Sequence, residues 1–260
     1  MVTPDDSGSP SPPRGPSRSA SLVGVLGEVL LTAGVIVLLF LGWQLWWNDA
    51  ILADSQTSAA RAQSEEWGDL YAPGTRLAPS AAPAKEDFGD PLVAAEPAHA
   101  EVIGNLYVPR FGTDYVRTIA EGTSTDILNS TRLGLGHYDG TQMPGEVGNF
   151  VVAAHRSAYG GALHLVDQLR LGDPLVVETV DGWYTYRFTN LDYVMASAVD
   201  VLAPVPQEPG VDAKDRTITL TTCNPLYSTA ERIIAYGVLD SWRPRSAGPP
   251  AELASILGKG

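Results

Sequence analysis

From Ser21 to Trp47 the chain reads as one apolar run interrupted by a single charge, Glu28, with its unbroken part between Val29 and Trp43. About 20 apolar residues are needed to cross a bilayer, so the pattern predicts a membrane-spanning helix with Glu28 near the headgroups. Trp43, Trp46 and Trp47 cluster at its far end, as interfacial aromatics do. A cleaved signal peptide would have a shorter hydrophobic region and a small-residue cleavage site, which Trp-Gln-Leu-Trp-Trp-Asn-Asp is not. Further on, the period shortens to the alternation of strands. Candidate strands are Val102–Val108, Asp114–Ile119, Asn149–Ala154, Pro174–Thr179, Trp183–Met195, Arg216–Thr222 and Glu231–Leu239. Short helical pieces fit Ser124–Asn129 and Ala162–Gln168. Turn signals recur between them: Pro-Gly at 144–145 and 209–210, Gly-Asp-Pro at 172–174, Asp-Gly at 181–182. Many short strands with few helices predict a β-barrel or sandwich.

The domain organisation follows. Residues 1–20, rich in Ser, Pro and Gly, read as a disordered tail. Residues 21–47 are the anchor. Residues 48–100 read as a stalk and linker: 48–66 can continue as a helix, and 72–100 are an Ala- and Pro-rich spacer without sustained period. A folded domain is expected over 101–243, near the commonest domain size. Residues 244–260 read as a flexible tail outside the core. Arg14 and Arg18 precede the span, whereas Asp49 and Asp54 follow it before the first downstream base, Arg61. The positive-inside rule therefore places the N-terminus in the cytoplasm and the long C-terminal part outside, as a single-pass protein of the cell membrane. The formal net charge of −13, with only 17 Lys and Arg, argues against nucleic acid as a partner.

The chain has one cysteine, Cys223, at the end of the strand-like Arg-Thr-Ile-Thr-Leu-Thr-Thr-Cys and just before Asn-Pro. With no second cysteine, neither an intramolecular disulfide nor a Cys-only metal cage is possible. A thiol at a strand end can meet a substrate, whereas one buried within a strand is inert packing. A cysteine nucleophile needs a base and an oxyanion donor. Of the four histidines, His155 likewise ends a strand, Phe-Val-Val-Ala-Ala-His, before a polar turn. His137 lies in a glycine loop, Gly-Leu-Gly-His-Tyr, where lining a pocket and supporting the structure are equally open. His99 falls in the spacer and His164 beside Leu163 and Leu165, both without a chemical role. Arg232 starts the strand after Cys223, close enough for a hairpin to bring its planar donors to the thiol. Each residue alone has a bland explanation, and the set of three is the more informative observation. One Cys with scattered His offers no zinc-ligand spacing, and neither a metal nor a cofactor is expected.

Asn149-Phe-Val-Val-Ala-Ala-His155-Arg156, Thr219-Leu-Thr-Thr-Cys223 and Arg232 resemble the signature of sortases, the membrane-anchored cysteine transpeptidases of Gram-positive bacteria. The likeness extends through Gly136-His137-Tyr138, 144–149, 169–173 and Tyr184 to Tyr186, and covers essentially all of 101–240. Thr-Leu-Thr-Thr-Cys-Asn-Pro and the Gly-His-Tyr loop are most similar to class E, the housekeeping class of high-GC Gram-positives. The resemblance implies a closed β-barrel of seven or eight strands with short helices, preceded by one transmembrane helix. It implies Cys223 as nucleophile, His155 as general acid/base and Arg232 as the substrate-positioning and oxyanion residue. It further implies cleavage of a Leu-Ala-x-Thr-Gly or Leu-Pro-x-Thr-Gly-like sorting signal between Thr and Gly through a thioacyl intermediate. The partners would be secreted proteins that bear the signal and the amine of a lipid-linked peptidoglycan precursor. Tyr138, His137 and Thr222 are the candidate substrate-binding residues. For Tyr138, reading the second signal position and simple packing stand about even.

Papain-like peptidases place Cys before His, and L,D-transpeptidases carry a Ser-x-Gly-Cys-Arg-like motif with His shortly upstream, so neither pattern fits. Two alternatives remain. One is a pilin-polymerising sortase, which often carries a lid and a second transmembrane helix, neither recognisable in this sequence. The other is an anchored β-domain without enzymatic activity.

Overall fold

The computed structural model describes residues 22–71 and 87–257; the tail at 1–20 and part of the spacer lie outside them. The chain divides into two units, one up to Leu45 and one from Trp46 onward. In the first, α1 (Leu22–Gly42) is 21 residues long with no buried residue. At about 1.5 Å per residue it reaches about 30 Å, the thickness of a bilayer's hydrocarbon core. It is the one helix among the described residues that is long and apolar enough to cross a membrane.

The second unit begins with α2 (Asn48–Tyr71) and is built on eight strands: β1 (Val102–Tyr107), β2 (Val116–Glu121), β3 (Leu135–His137), β4 (Gly148–Ala153), β5 (Pro174–Glu178), β6 (Gly182–Met195), β7 (Arg216–Asn224) and β8 (Glu231–Pro244). They form a closed barrel in the order β1-β2-β3-β4-β7-β8-β6-β5, sealed by antiparallel pairing of β1 with β5. Two neighbours are parallel, β2 with β3 and β4 with β7. All seven expected strands form. β3 is additional, because three residues centred on Gly136 show no alternation to read. β8 runs past Leu239 because β6 pairs with it along its whole length, with register shifts at Thr185/Tyr186 and Phe188/Asn190. The helix expected at 124–129 shortens to α3 (Thr125–Leu128), and that at 162–168 to a 3-10 turn over Val166–Gln168.

Alternation sorts side chains between the barrel interior and its outer face. Phe150, Val152, Ile218, Leu220, Ile233 and Ala235 fill the interior core, whereas Ile234 and Tyr236 on the outer face pack under Val201 of the β6–β7 loop. A third cluster lies on the outside over β1, β2, β5 and β6, where Tyr107, Val116, Val176 and Trp183 are covered by Ala60, Leu253 and Ile256.

That third cluster changes two expectations. The segment from 48 is not a stalk clear of the domain. From α2, Ser64 donates to Glu178 Oε1 (2.8 Å), the Ala60 carbonyl accepts from Asn105 Nδ2 (3.0 Å), and Trp67 lies under the Arg245 guanidinium at 5.6 Å. The spacer at 87–100 is also tied down: Trp242 Nε1 donates to the Gly89 carbonyl (3.0 Å) and Tyr184 OH to that of Leu92 (2.6 Å). The C-terminal residues do enter a core. Arg245 is 1% exposed and paired with Glu178 at 3.0 Å, Leu253 is fully buried, and α4 (Ala254–Leu257) brings in Ile256. Pro249 and Pro250 obscure this in sequence by breaking any helical period. Leu253→Ala is expected to destabilise the domain by about 2–3 kcal/mol through lost burial and the cavity left behind. The check is the denaturant midpoint, which should fall at unchanged native far-UV signal; an unmoved midpoint would return 244–257 to the status of a tail.

Candidate active site

Strand register brings the sequence candidates together. In the parallel β4–β7 pair Val151 is level with Thr219 and Ala153 with Thr221. Two residues beyond that last pair stand His155 and Cys223. Their common parity with Val151 and Ala153, and with Thr219 and Thr221, turns both side chains to the outer face. In the antiparallel β7–β8 pair Cys223 is directly opposite Arg232, on the same face as Ile234 and Tyr236. The site is therefore a floor on the outside of the barrel, at the ends of β4 and β7, rather than at the barrel mouth. His155, Cys223 and Arg232 are all half-buried.

Two ties fasten the strand ends on either side of the His155–Cys223 level. Thr222 Oγ1 donates to the Ala154 carbonyl (2.7 Å), and Arg156 Nη1 donates to Asn224 Oδ1. Arg156 is itself buried and held by Asp167 at 3.1 Å, while Asn224 Nδ2 donates to Glu231 Oε2 (2.9 Å) beside Arg232. The Ser157 hydroxyl accepts from the Tyr227 amide (3.0 Å), joining the loop after His155 to the loop after Cys223. Arg232 Nη1 donates to the carbonyls of Thr229 (3.1 Å) and Glu231 (2.9 Å), so its guanidinium is oriented by its own turn.

The His155 ring is held on two sides. Nε2–H donates to Asn129 Oδ1 at 2.8 Å, which leaves Nδ1 as the basic nitrogen of the neutral ring. The ring of Tyr159 lies 5.0 Å away at 35°. Burial pushes the imidazole below its ordinary titration range, and the Asp49 carboxylate of α2 acts weakly in the opposite direction. Asn129 has no signal in the sequence. It reads there only as the last residue of a short helix.

The three other candidates separate. Tyr138 is half-buried next to the pair: burial raises its phenol above the ordinary range, the Arg232 charge lowers it and Cys223 raises it. Half-exposed beside Arg232 and Cys223, it remains a candidate for contact with a substrate. His137 does not. It is fully buried, with Nδ1 at 2.7 Å from Glu121 Oε2, Nε2 within bonding distance of Thr141 Oγ1 (2.9 Å) and the Gln142 carbonyl (3.1 Å), and its ring stacked on Phe150. Parity explains this, since His137 points inward where Tyr138 points out. Thr222 is 3% exposed with its hydroxyl spent on Ala154, so it fastens strands instead of contacting a ligand. His164 donates from Nδ1 to the Arg156 carbonyl (2.9 Å), and His99 pairs with Asp126 on the surface (3.0 Å). Among the described residues no three His, Cys, Asp or Glu side chains converge as metal ligands would.

A Cys, a His and an Arg on one floor can support thiol attack on a carbonyl, proton transfer and stabilisation of an oxyanion. The Sortase domain family matches residues 106–240. Sortase SrtE1 of Streptomyces coelicolor is 35% identical over 93% of this chain, which spans 64% of that relative's length. Sortase SrtE2 of the same organism is 33% identical over 87% of this chain and 85% of its own. The crystal structure of Sortase E1 from Streptomyces coelicolor, with a tripeptide in its active site, superposes with a TM-score of 0.54 at 38% identity, over 60% of this chain and 99% of that one. The chain, matched along 106–240 and carrying His155, Cys223 and Arg232 on one face of a closed barrel, belongs to the sortase family, and SrtE1 and SrtE2 among its relatives are of class E.

Proposed function

We propose that this protein is a membrane-anchored transpeptidase. It cleaves a Leu-Ala-x-Thr-Gly or Leu-Pro-x-Thr-Gly-like sorting signal between Thr and Gly and passes the new C-terminus to the amine of a lipid-linked cell-wall precursor. The observation that carries this reading is the register that sets Cys223 opposite Arg232 and leaves His155 and Cys223 each two residues beyond the last β4–β7 pair. Membership of the sortase family and the tripeptide in the active site of a 38% identical relative support it. The apolar α1 and the arginines that precede it support an anchor with the N-terminus in the cytoplasm.

The steps balance as follows. The Cys223 sulfur attacks the threonine carbonyl carbon as its proton passes to His155 Nδ1, and the carbonyl oxygen takes negative charge beside the Arg232 guanidinium. The Thr–Gly C–N bond breaks, and the imidazolium returns that proton to the departing glycine amine. A thioester remains. The acceptor amine then attacks it, giving up a proton through His155 to the leaving sulfur, and the products are a new amide and the free thiol. Asn129 keeps the ring in the tautomer this sequence requires, and Tyr138 borders the residues ahead of the scissile bond.

Activity, specificity and titration each test the reading. The full chain in detergent micelles, given a Leu-Ala-x-Thr-Gly peptide and an amine acceptor, should release the glycine fragment and form the amide product. Cys223→Ala should do neither, while Arg232→Ala should lower kcat/KM on the order of 10²–10³-fold, the usual cost of an oxyanion donor. A parent chain that leaves every such peptide intact would refute transpeptidation. Tyr138→Ala should change the preference between Ala and Pro at the second signal position by several-fold; equal losses on both peptides would make it a packing residue. In the Cys223→Ala background, the His155 ring should titrate below the ordinary value near 6.5 when followed by NMR. Asp49→Asn should move it lower still, because removing the carboxylate removes the one influence favouring the charged form. A midpoint at or above 6.5 would contradict the burial argument.

A further inference from the structure

Gln56 lies in the first half of α2, on the helix face that meets the barrel, and it is fully buried. Its Nε2 donates to the carbonyls of Ser130 (2.8 Å) and Tyr159 (3.0 Å), two segments far apart in the chain. Ser130 directly follows Asn129, the acceptor of the His155 Nε2–H bond, and Tyr159 is the residue whose ring lies against the His155 ring. A single amide therefore joins the backbones of the two groups between which His155 is held.

The surroundings are cut to this amide. Gly134 and Gly160 both have positive φ, and a Cβ on either would come within 2.9 and 2.8 Å of Gln56 Oε1 respectively. Neither position can carry a side chain while Gln56 occupies the space between them. Oε1 finds no hydrogen-bond donor among the described residues, a cost that an apolar side chain of the same size would not carry. The contact that such a side chain could not replace is the pair of bonds from Nε2. Asp49, two turns earlier on the same face, reaches the Gly160 amide at 3.4 Å and reinforces the same loop.

We infer that Gln56 is a positioning residue for His155, and that the helix following the apolar segment is part of the active-site scaffold rather than a tether. This rests on the proposed role of His155. The helix brings one amide to the point where the Asn129 and Tyr159 segments meet, and fixing both segments fixes the ring between them. A ring free to tilt loses alignment with thiol and leaving amine, which lowers turnover more than substrate capture.

The test uses the full chain in detergent micelles with Gln56→Met, which fills the space without donors, and Ser64→Ala as the comparison. Ser64 lies on the same helix but bonds Glu178 Oε1, remote from His155. Gln56→Met should lower kcat about tenfold with KM changed less than about twofold, and Ser64→Ala should leave both as in the parent. In the Cys223→Ala background, the His155 ring signals of ¹³C-labelled Gln56→Met should shift and broaden while those of His164 stay in place. An unchanged kcat together with unchanged His155 signals would overturn the inference and leave Gln56 as packing. If Gln56→Met and Gln56→Leu both fail to fold while Ser64→Ala folds, the residue serves the fold and the positioning role is likewise overturned. A parent chain without peptide cleavage would count against the transpeptidase reading alone, since the NMR comparison still decides whether Gln56 holds the ring.

Discussion

The parallel register between β4 and β7 is the constraint on which the site depends. Because side chains alternate with period two, a slip of one residue between these strands would send either His155 or Cys223 into the barrel interior. The register is held from within by Phe150, Val152, Ile218 and Leu220, whose burial is lost on any slip. It is held from outside by Asn149, whose amide accepts from Thr219 Oγ1 (2.7 Å) and donates to the Val201 and Ala203 carbonyls (3.0 Å each). The last two ties, Thr222 to Ala154 and Arg156 to Asn224, bracket the reactive level on both sides. Antiparallel pairing with β8 then sets Arg232, so three side chains on three strands follow from two registers.

A second layer stiffens the opposite wall. Glu178 is 1% exposed and accepts from Ser64 (2.8 Å), Tyr107 OH (2.8 Å) and Arg245 (3.0 Å), while Arg245 also donates to the Val180 and Thr179 carbonyls. A buried ion pair of this kind adds little net stability over an apolar replacement of equal volume. What it adds is geometry: with its partners satisfied from β1, β5, α2 and the C-terminal segment, only one placement of these elements avoids an unpaired buried charge. The apolar cluster of Val176, Trp183, Leu253 and Ile256 supplies the burial, and the polar network selects the docking position.

The contrast between what was legible in the sequence and what was not has a common physical cause. Strands that alternate, the apolar helix α1 and the His155, Cys223 and Arg232 motif residues could be read because each carries a local pattern. β3 could not, since three residues around Gly136 pair only through their backbones. Nor could the docking of α2: its buried face is Ala53, Gln56, Ala60, Ser64 and Trp67, largely small or polar residues that fit against backbone carbonyls and glycines. A face that docks through hydrogen bonds leaves no apolar stripe, so the helix reads as a solvated stalk. The inward turn of His137 is hidden in the sequence for a related reason. A glycine loop suggests an open position, but the parity of β3 turns His137 inward onto Phe150 and Glu121 and leaves Tyr138 outside.

The two polar partners of Cys223 are held in different ways, and the difference suits their tasks. His155 is held by Asn129 from a distant part of the chain on one side and by Tyr159 of its own loop on the other, and burial pushes the imidazole below its ordinary titration range. A neutral ring with Nε2–H committed to Asn129 presents Nδ1 in one orientation, as both stages of the proposed proton transfer require. Among the described residues, Arg232 bonds the carbonyls of its own turn, Thr229 and Glu231, through Nη1. Such bonds orient the half-buried guanidinium, which suits its proposed role of meeting charge that develops as a carbonyl is attacked.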